Sequence, residues 1–260
     1  MCAVPKCKLS NFKAGGNDYA AITRDNADII ECVLSYDKMY RKGIGVTAVP
    51  KGRFIGSDAY WQEKIAEVKN GACTYKDFIK HLVESVDRAN DTHLNTAING
   101  RKEMAKRVIA NCKTLSDLKK ALSKNPFYMN SGVKDVDPNH ILHKLAEPLP
   151  AKKGGIRCNV SFASKFCQFA SKILNAGYEY SKYDNIVSKA LPVYIDKYLH
   201  IKISDRFFLT GGKPFSEKTW KYAEYCDYID EIRKKVNTGK SQSQQISREE
   251  FDHIVWYTNK

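Results

Sequence analysis

Apolar residues recur along this chain mostly three and four positions apart, the spacing of an α-helix with one buried face. In NADIIECVLSYDKMYRKG (26–43), Ile29, Cys32, Val33, Tyr36 and Tyr40 follow that spacing, with Asn26 placed as an N-cap and Gly43 as a stop. GSDAYWQEKIAEVKNG (56–71) repeats the pattern, opened by Ser57 or Asp58 and closed by Gly71. In TYKDFIKHLVESVDRAN (74–90), Phe78, Leu82 and Val86 share one face. Shorter amphipathic segments follow at 99–112, 114–125 and 137–150, the last closed by Pro148 and Pro150. Further helices are predicted from near Ser161 to Leu174, from Asp184 onward, and over the aromatic-rich stretch 215–236. The polar linker TGKSQSQQ then leads to a final helix, where Ser247 and Glu250 are spaced as a capping box. Only 45–56 and 199–211 carry strand character, and both carry it weakly. The expected class is mainly α, a multi-helix fold in one or two helical lobes. Residues 1–25 are expected to be an irregular lead-in, 26–238 the helical domain, and 239–260 a linker with the C-terminal helix.

Composition narrows the partners more than the fold. At 260 residues and 43% hydrophobic, the chain can bury a sizeable core. It holds no run of eighteen apolar residues to span a membrane, and MCAVPKCKLSNF has no apolar stretch before a cleavage site. The expected location is therefore the cytoplasm, or the nucleoid or nucleus together with DNA. Lys and Arg number 43 against 29 Asp and Glu, a net charge of +14. That balance predicts attraction to polyanions, nucleic acid first and an anionic membrane surface second. The lysine excess favours phosphate attraction over reading of base edges. The eight cysteines form no CxxC and follow no export signal, so they are expected to be reduced and mostly buried. His140 and His143 stand three apart with no further ligand near them in sequence, and no metal is expected there.

Candidate chemistry centres on one lysine and one aspartate. In SFASKFCQFASKIL, Phe162, Phe166, Phe169 and Ile173 form a core face. Lys165 lies about 60° from the centre of that face, in a stripe with Ser161, Gln168 and Lys172. A lysine at such a border has two readings. Its stem can cover the core while its head snorkels to water. Or the amine is partly desolvated, which favours the neutral form that acts as a nucleophile. Asp184, in SKYDNIVSKAL, has two readings as well: a helix N-cap, or a carboxylate serving a reaction.

The order of lysine helix, loop, aspartate and second helix resembles the helix–hairpin–helix superfamily of DNA glycosylases, in its glycosylase/lyase branch. SFASKFCQFASKIL looks like the lysine helix, and YSKYDNIVSKAL looks like the aspartate loop and the helix after it. The likeness covers residues 138–195. The family's hairpin reads L-P-G-V-G; here Leu149, Pro150, Gly154 and Gly155 stand in a longer, more basic LPAKKGGIRCNVS.

The resemblance implies a DNA N-glycosylase that flips a damaged or modified base out of double-stranded DNA. Asp184 would stabilise an oxocarbenium-like state as the glycosidic bond breaks. Lys165 would add to C1′ as a Schiff base, with elimination of the 3′ phosphate as the lyase step. DNA contacts are expected from Lys152, Lys153, Gly154, Gly155 and Arg157 in the hairpin, and from Ser161, Lys182 and Asn185 nearby. Such an enzyme works as a monomer on double-stranded DNA, without cofactor, metal or membrane, in repair or in defence against modified foreign DNA. Two other classes stay open: a non-catalytic basic helical nucleic-acid-binding protein, and a metal-dependent nuclease using Asp135 and Asp137.

Overall fold

The computed structural model describes residues 9–31, 57–90, 92–203 and 221–259. The fold is mainly α: among the described residues ten helices accompany three small two-stranded antiparallel sheets. None of these helices is long and apolar enough to cross a membrane. The chain divides into two compact units.

The terminal unit holds residues 9–31, 183–203 and 224–259. It opens with a hairpin of β1 (Asn11–Ala14) and β2 (Asn17–Ala20), where an irregular lead-in is expected from sequence. Gly15 (φ 53°) and Gly16 (φ 83°) form its turn, both in the left-handed region that favours glycine. Helix α1 (24–31) follows. Its cap is Thr23 rather than Asn26, because the Thr23 hydroxyl accepts from the Asn26 N–H at 3.2 Å. Asn26 is buried and instead ties the hairpin down, accepting from the Ser10 N–H and donating to the Ser10 and Ala21 carbonyls. The rest of the helix expected over 26–43, and the strand candidate 45–56, lie outside the described residues. Helices α8 (Asn185–Leu199), α9 (Tyr222–Asn237, in this unit from Glu224) and α10 (Arg248–Thr258) complete the unit. Tyr194 of α8 is its aromatic hub, meeting the Phe12, Tyr19 and Phe251 rings at 5.5, 6.1 and 6.3 Å. The second strand candidate, 199–211, is described as far as 203. It begins as the end of α8, passes the left-handed His200 (φ 59°), and continues without regular structure.

The central unit holds residues 57–182 and 221–223. In order it contains α2 (Asp58–Lys69), α3 (Tyr75–Asn90), α4 (Gly100–Asn111), α5 (Leu115–Leu122), β3 (Phe127–Asn130), β4 (Val133–Val136), α6 (Ile141–Ala146), β5 (Leu149–Pro150), β6 (Ile156–Arg157) and α7 (Val160–Leu174). Ser57 caps α2 and Thr114 caps α5 through a full capping box with Asp117. Helix α7 is the centre of this unit, packed against α2, α3, α5 and α6. Trp61 of α2 is buried edge-on between Phe78 of α3 at 6.0 Å and Phe169 of α7 at 5.6 Å. Burying such rings contributes about 1.5–3 kcal/mol each. Before α4, a single 3-10 turn (Leu94–Thr96) runs so close that a Cβ on Gly100 would stand 2.1 Å from the Leu94 carbonyl oxygen.

Charge is shared unevenly. Residues Pro50–Lys182 and Leu209–Ala223 carry 26 Lys and Arg against 14 Asp and Glu, which is +12 of the chain's +14.

Candidate functional site

A helix, a hairpin and a helix stand in succession in the central unit: α6, β5–β6 and α7. Leu149 pairs with Arg157 and Pro150 with Ile156. The turn closes through the Ala151 N–H to the Gly155 carbonyl and the Gly154 N–H to the Ala151 carbonyl, each 3.1 Å. Gly154 (φ 87°) and Gly155 (φ 76°) are both left-handed, which accounts for the glycine pair inside an otherwise basic loop. The hairpin also gains a neighbour on its free edge. The Ile98 N–H donates to the Pro150 carbonyl, and the Lys152 N–H to the Thr96 carbonyl, both at 2.9 Å.

Three side chains fix this arrangement. Arg107 of α4 donates to the Lys144, Glu147 and Pro148 carbonyls at 3.1, 2.7 and 2.9 Å, so it caps the C-terminus of α6. Asn159, buried just ahead of α7, donates through Nδ2 to the Glu147 carbonyl at 2.8 Å. Arg157 binds the loop before α4, donating to the His93 carbonyl at 2.7 Å, to the Thr92 carbonyl and to the Thr96 hydroxyl. Burial pulls the pKa of both arginines down without threatening their charge. Asp87, itself buried, braces the same loop by accepting from the Thr92 hydroxyl and the Leu94 N–H and pairing with Arg101 at 2.7 Å.

Of the expected DNA contacts, Lys152, Lys153, Gly154 and Gly155 are exposed at the hairpin tip. Arg157 is half-buried, with its guanidinium turned to the 92–96 loop. Ser161 is half-buried in the first turn of α7, and Lys182 half-buried near the end of the unit. Asn185, in the terminal unit, is exposed in the first turn of α8.

Lys165 stands in the second turn of α7 and is only 7% exposed. Helical spacing places it at the border of a core face, where a lysine reaches water. The surroundings differ because α7 is enclosed by several helices, so its flanks are interior too. The ammonium donates to the Asn90 carbonyl at 3.4 Å, at the C-terminus of α3, where a helix end favours positive charge. Burial pushes up the Cys158 thiol ahead of α7 and the Cys167 thiol within it, away from the thiolate form.

Asp184 belongs to the terminal unit and is half-buried. It is the N-cap of α8, as its spacing predicts, with Oδ1 accepting from the Ile186 N–H at 2.8 Å. Around it the Tyr183 and Tyr225 rings meet at 5.2 Å. Burial, with the charges of Asp252 and Asp184 adding, holds the Tyr225 phenol firmly protonated.

The chain matches no protein family, no curated protein and no solved structure.

Sequence spacing did not single out Arg107, Asn159 or the 92–96 loop. For Arg107 a signal exists: it sits beside Met104 and Val108, at the edge of the apolar stripe of α4. Of the aromatics that could stack on a base, Trp61, Tyr180 and Tyr183 are buried, and Tyr180 donates to the Leu122 carbonyl at 2.9 Å. Trp220 lies outside the described residues. Asp135 and Asp137 serve the backbone, accepting from the Val136 and Asn139 N–H groups. Among the described residues no group of three potential ligands gathers around a metal position.

Proposed function

We propose that this protein is a DNA glycosylase, with Lys165 as the amine nucleophile of a coupled lyase step and Asp184 as the carboxylate that stabilises the developing sugar cation. The observation that carries this is the burial of Lys165 in the helix that directly follows a glycine-turned, lysine-tipped hairpin. A buried lysine is costly to the fold, and enclosed amines recur where nucleophiles are needed. To react, Lys165 gives up a proton and its bond to the Asn90 carbonyl. The neutral Nζ then bonds to C1′ as the glycosidic bond breaks, and the base departs with that bond's electrons and takes a proton that Nζ sheds. The nitrogen lone pair next opens the C1′–O4′ bond, O4′ taking a proton from solvent, which leaves a protonated Schiff base at C1′. The resulting Schiff base acidifies C2′, whose deprotonation expels the 3′ phosphate. The concentration of +12 in the central unit supports a duplex partner, and the exposed Lys152 and Lys153 are suited to its phosphates.

One observation favours a second reading, a non-catalytic nucleic-acid-binding protein. Lys165 closes the end of α3 and Asp184 caps α8, and each is a complete structural task.

Borohydride trapping on duplexes carrying a wide panel of damaged and modified bases separates the two. The glycosylase yields a covalent adduct with one of these bases. Lys165→Ala abolishes the adduct, and Asp184→Asn abolishes base release while still capping α8. Duplex binding without adduct or release on any base would establish the binding protein instead.

A further inference from the structure

The hairpin β3–β4 has no task in the chemistry above, and it carries the two most exposed large apolar side chains among the described residues. Met129 is 66% exposed and Val133 67%. Its base is firmly rooted. Val136 is buried, Phe127 packs against Tyr222 at 5.9 Å, and the Asp137 N–H donates to the Pro126 carbonyl at 2.8 Å. Its tip is tight. Ser131 (φ 50°) and Gly132 (φ 81°) are both left-handed, the two-residue turn that matches the twist of paired strands. Directly opposed residues share a face, so Met129 stands with Lys134 on one side and Val133 on the other. The Lys134 ammonium lies 4.7 Å from the Phe127 ring centroid, on the same face as Met129. A rigid finger thus presents a methionine to solvent beside a cation.

Charge identifies what it meets. Between residues 113 and 137 the chain has five lysines, Lys113, Lys119, Lys120, Lys124 and Lys134, against three acids, Asp117, Asp135 and Asp137. Asp135 and Asp137 accept from the Val136 and Asn139 N–H groups. Asp117 is committed to the capping box of α5. An apolar tip with a lysine beside it, in a unit that carries +12, repels a basic partner and suits a polyanion with an apolar interior. Stacked duplex DNA has that construction, with phosphates outside and base faces within. Apolar side chains, methionine among them, enter base steps of DNA as wedges and partly unstack them.

We infer that the β3–β4 hairpin is a probe of the DNA base stack, with Met129 inserted between bases as a wedge, Val133 on the opposite face of the finger against the groove, and Lys134, beside Met129, on a flanking phosphate. This rests on the nucleic-acid side of the proposed function. It requires duplex binding but no base excision.

The test uses the full chain and a duplex with 2-aminopurine beside an abasic-site analogue, since unstacking raises 2-aminopurine fluorescence. Wild type should raise the signal. Met129→Ala/Val133→Ala should lose at least threefold of that rise with an unchanged melting temperature, because both side chains are exposed. Lys134→Ala should weaken binding but keep the rise at saturation. An unaltered rise in the double variant would overturn the inference. So would duplex binding without any rise, or a dimer in gel filtration that the double variant dissolves. Base release without a rise would remove the wedge and leave the glycosylase. A Met129-dependent rise with no release or adduct on any base would keep the wedge and remove the glycosylase. Failure to bind duplex at all would remove both.

Discussion

His140 opens α6 with an imidazole where a hydroxyl or carboxylate is usual. Its Nδ1 accepts from the Leu142 N–H at 3.1 Å, which leaves the proton on Nε2, facing the Ala121 carbonyl at 3.0 Å. Burial pulls its pKa down to about 4. The unfolded chain binds a proton near pH 6.5, and the folded chain resists it until pH 4. The stabilisation is therefore complete above about pH 6.5 and is lost as the pH falls toward 4, on the order of 2–3 kcal/mol. Urea unfolding between about pH 7 and about pH 4.5 should show this loss, and His140→Asn, which caps without titrating, should show less of it. Equal losses would clear His140 as the cause. At this scale the sequence was half legible. Asp184 is the N-cap its neighbours announce, because a cap is decided within one turn. The burial of Lys165 was hidden, because spacing within α7 says nothing of how many helices surround it.

Among the elements, the joint between α6 and the β5–β6 hairpin depends on one side chain from elsewhere. Arg107→Ala leaves three carbonyls at the end of α6 without their donor and should cost about 2–4 kcal/mol in thermal or urea unfolding. Arg107→Lys should recover only part of this, since one ammonium cannot span all three. A loss under about 0.5 kcal/mol would show that water replaces the guanidinium. The described helices were legible from the 3.6-residue repeat, and several caps with them. The hairpins at 11–20 and 127–136 were not, because strands of four residues are too short to display alternation. The usable signals were the turn pairs themselves, Gly15-Gly16 and Ser131-Gly132.

For the whole molecule, net charge predicts attraction to a polyanion but not where along the chain the surplus gathers. With nearly all of the surplus in the central unit, the salt dependence of duplex binding should be set there. Lys152→Ala/Lys153→Ala should flatten the slope of log affinity against log salt by roughly 2. The same double change at Lys234 and Lys235, in the nearly neutral terminal unit, should leave it alone. Equal effects from both pairs would mean that the contact surface is not confined to the central unit. The closeness of Leu94 to Gly100 bears on how this chain can be inherited. No side chain fits at 2.1 Å from a backbone oxygen, whatever the protein is used for. A lineage that kept the fold and lost its task would drift freely at Met129 and Val133 and still carry glycine at 100. Constancy at the hairpin tip would record selection for use, whereas constancy at Gly100 records only that the chain still folds.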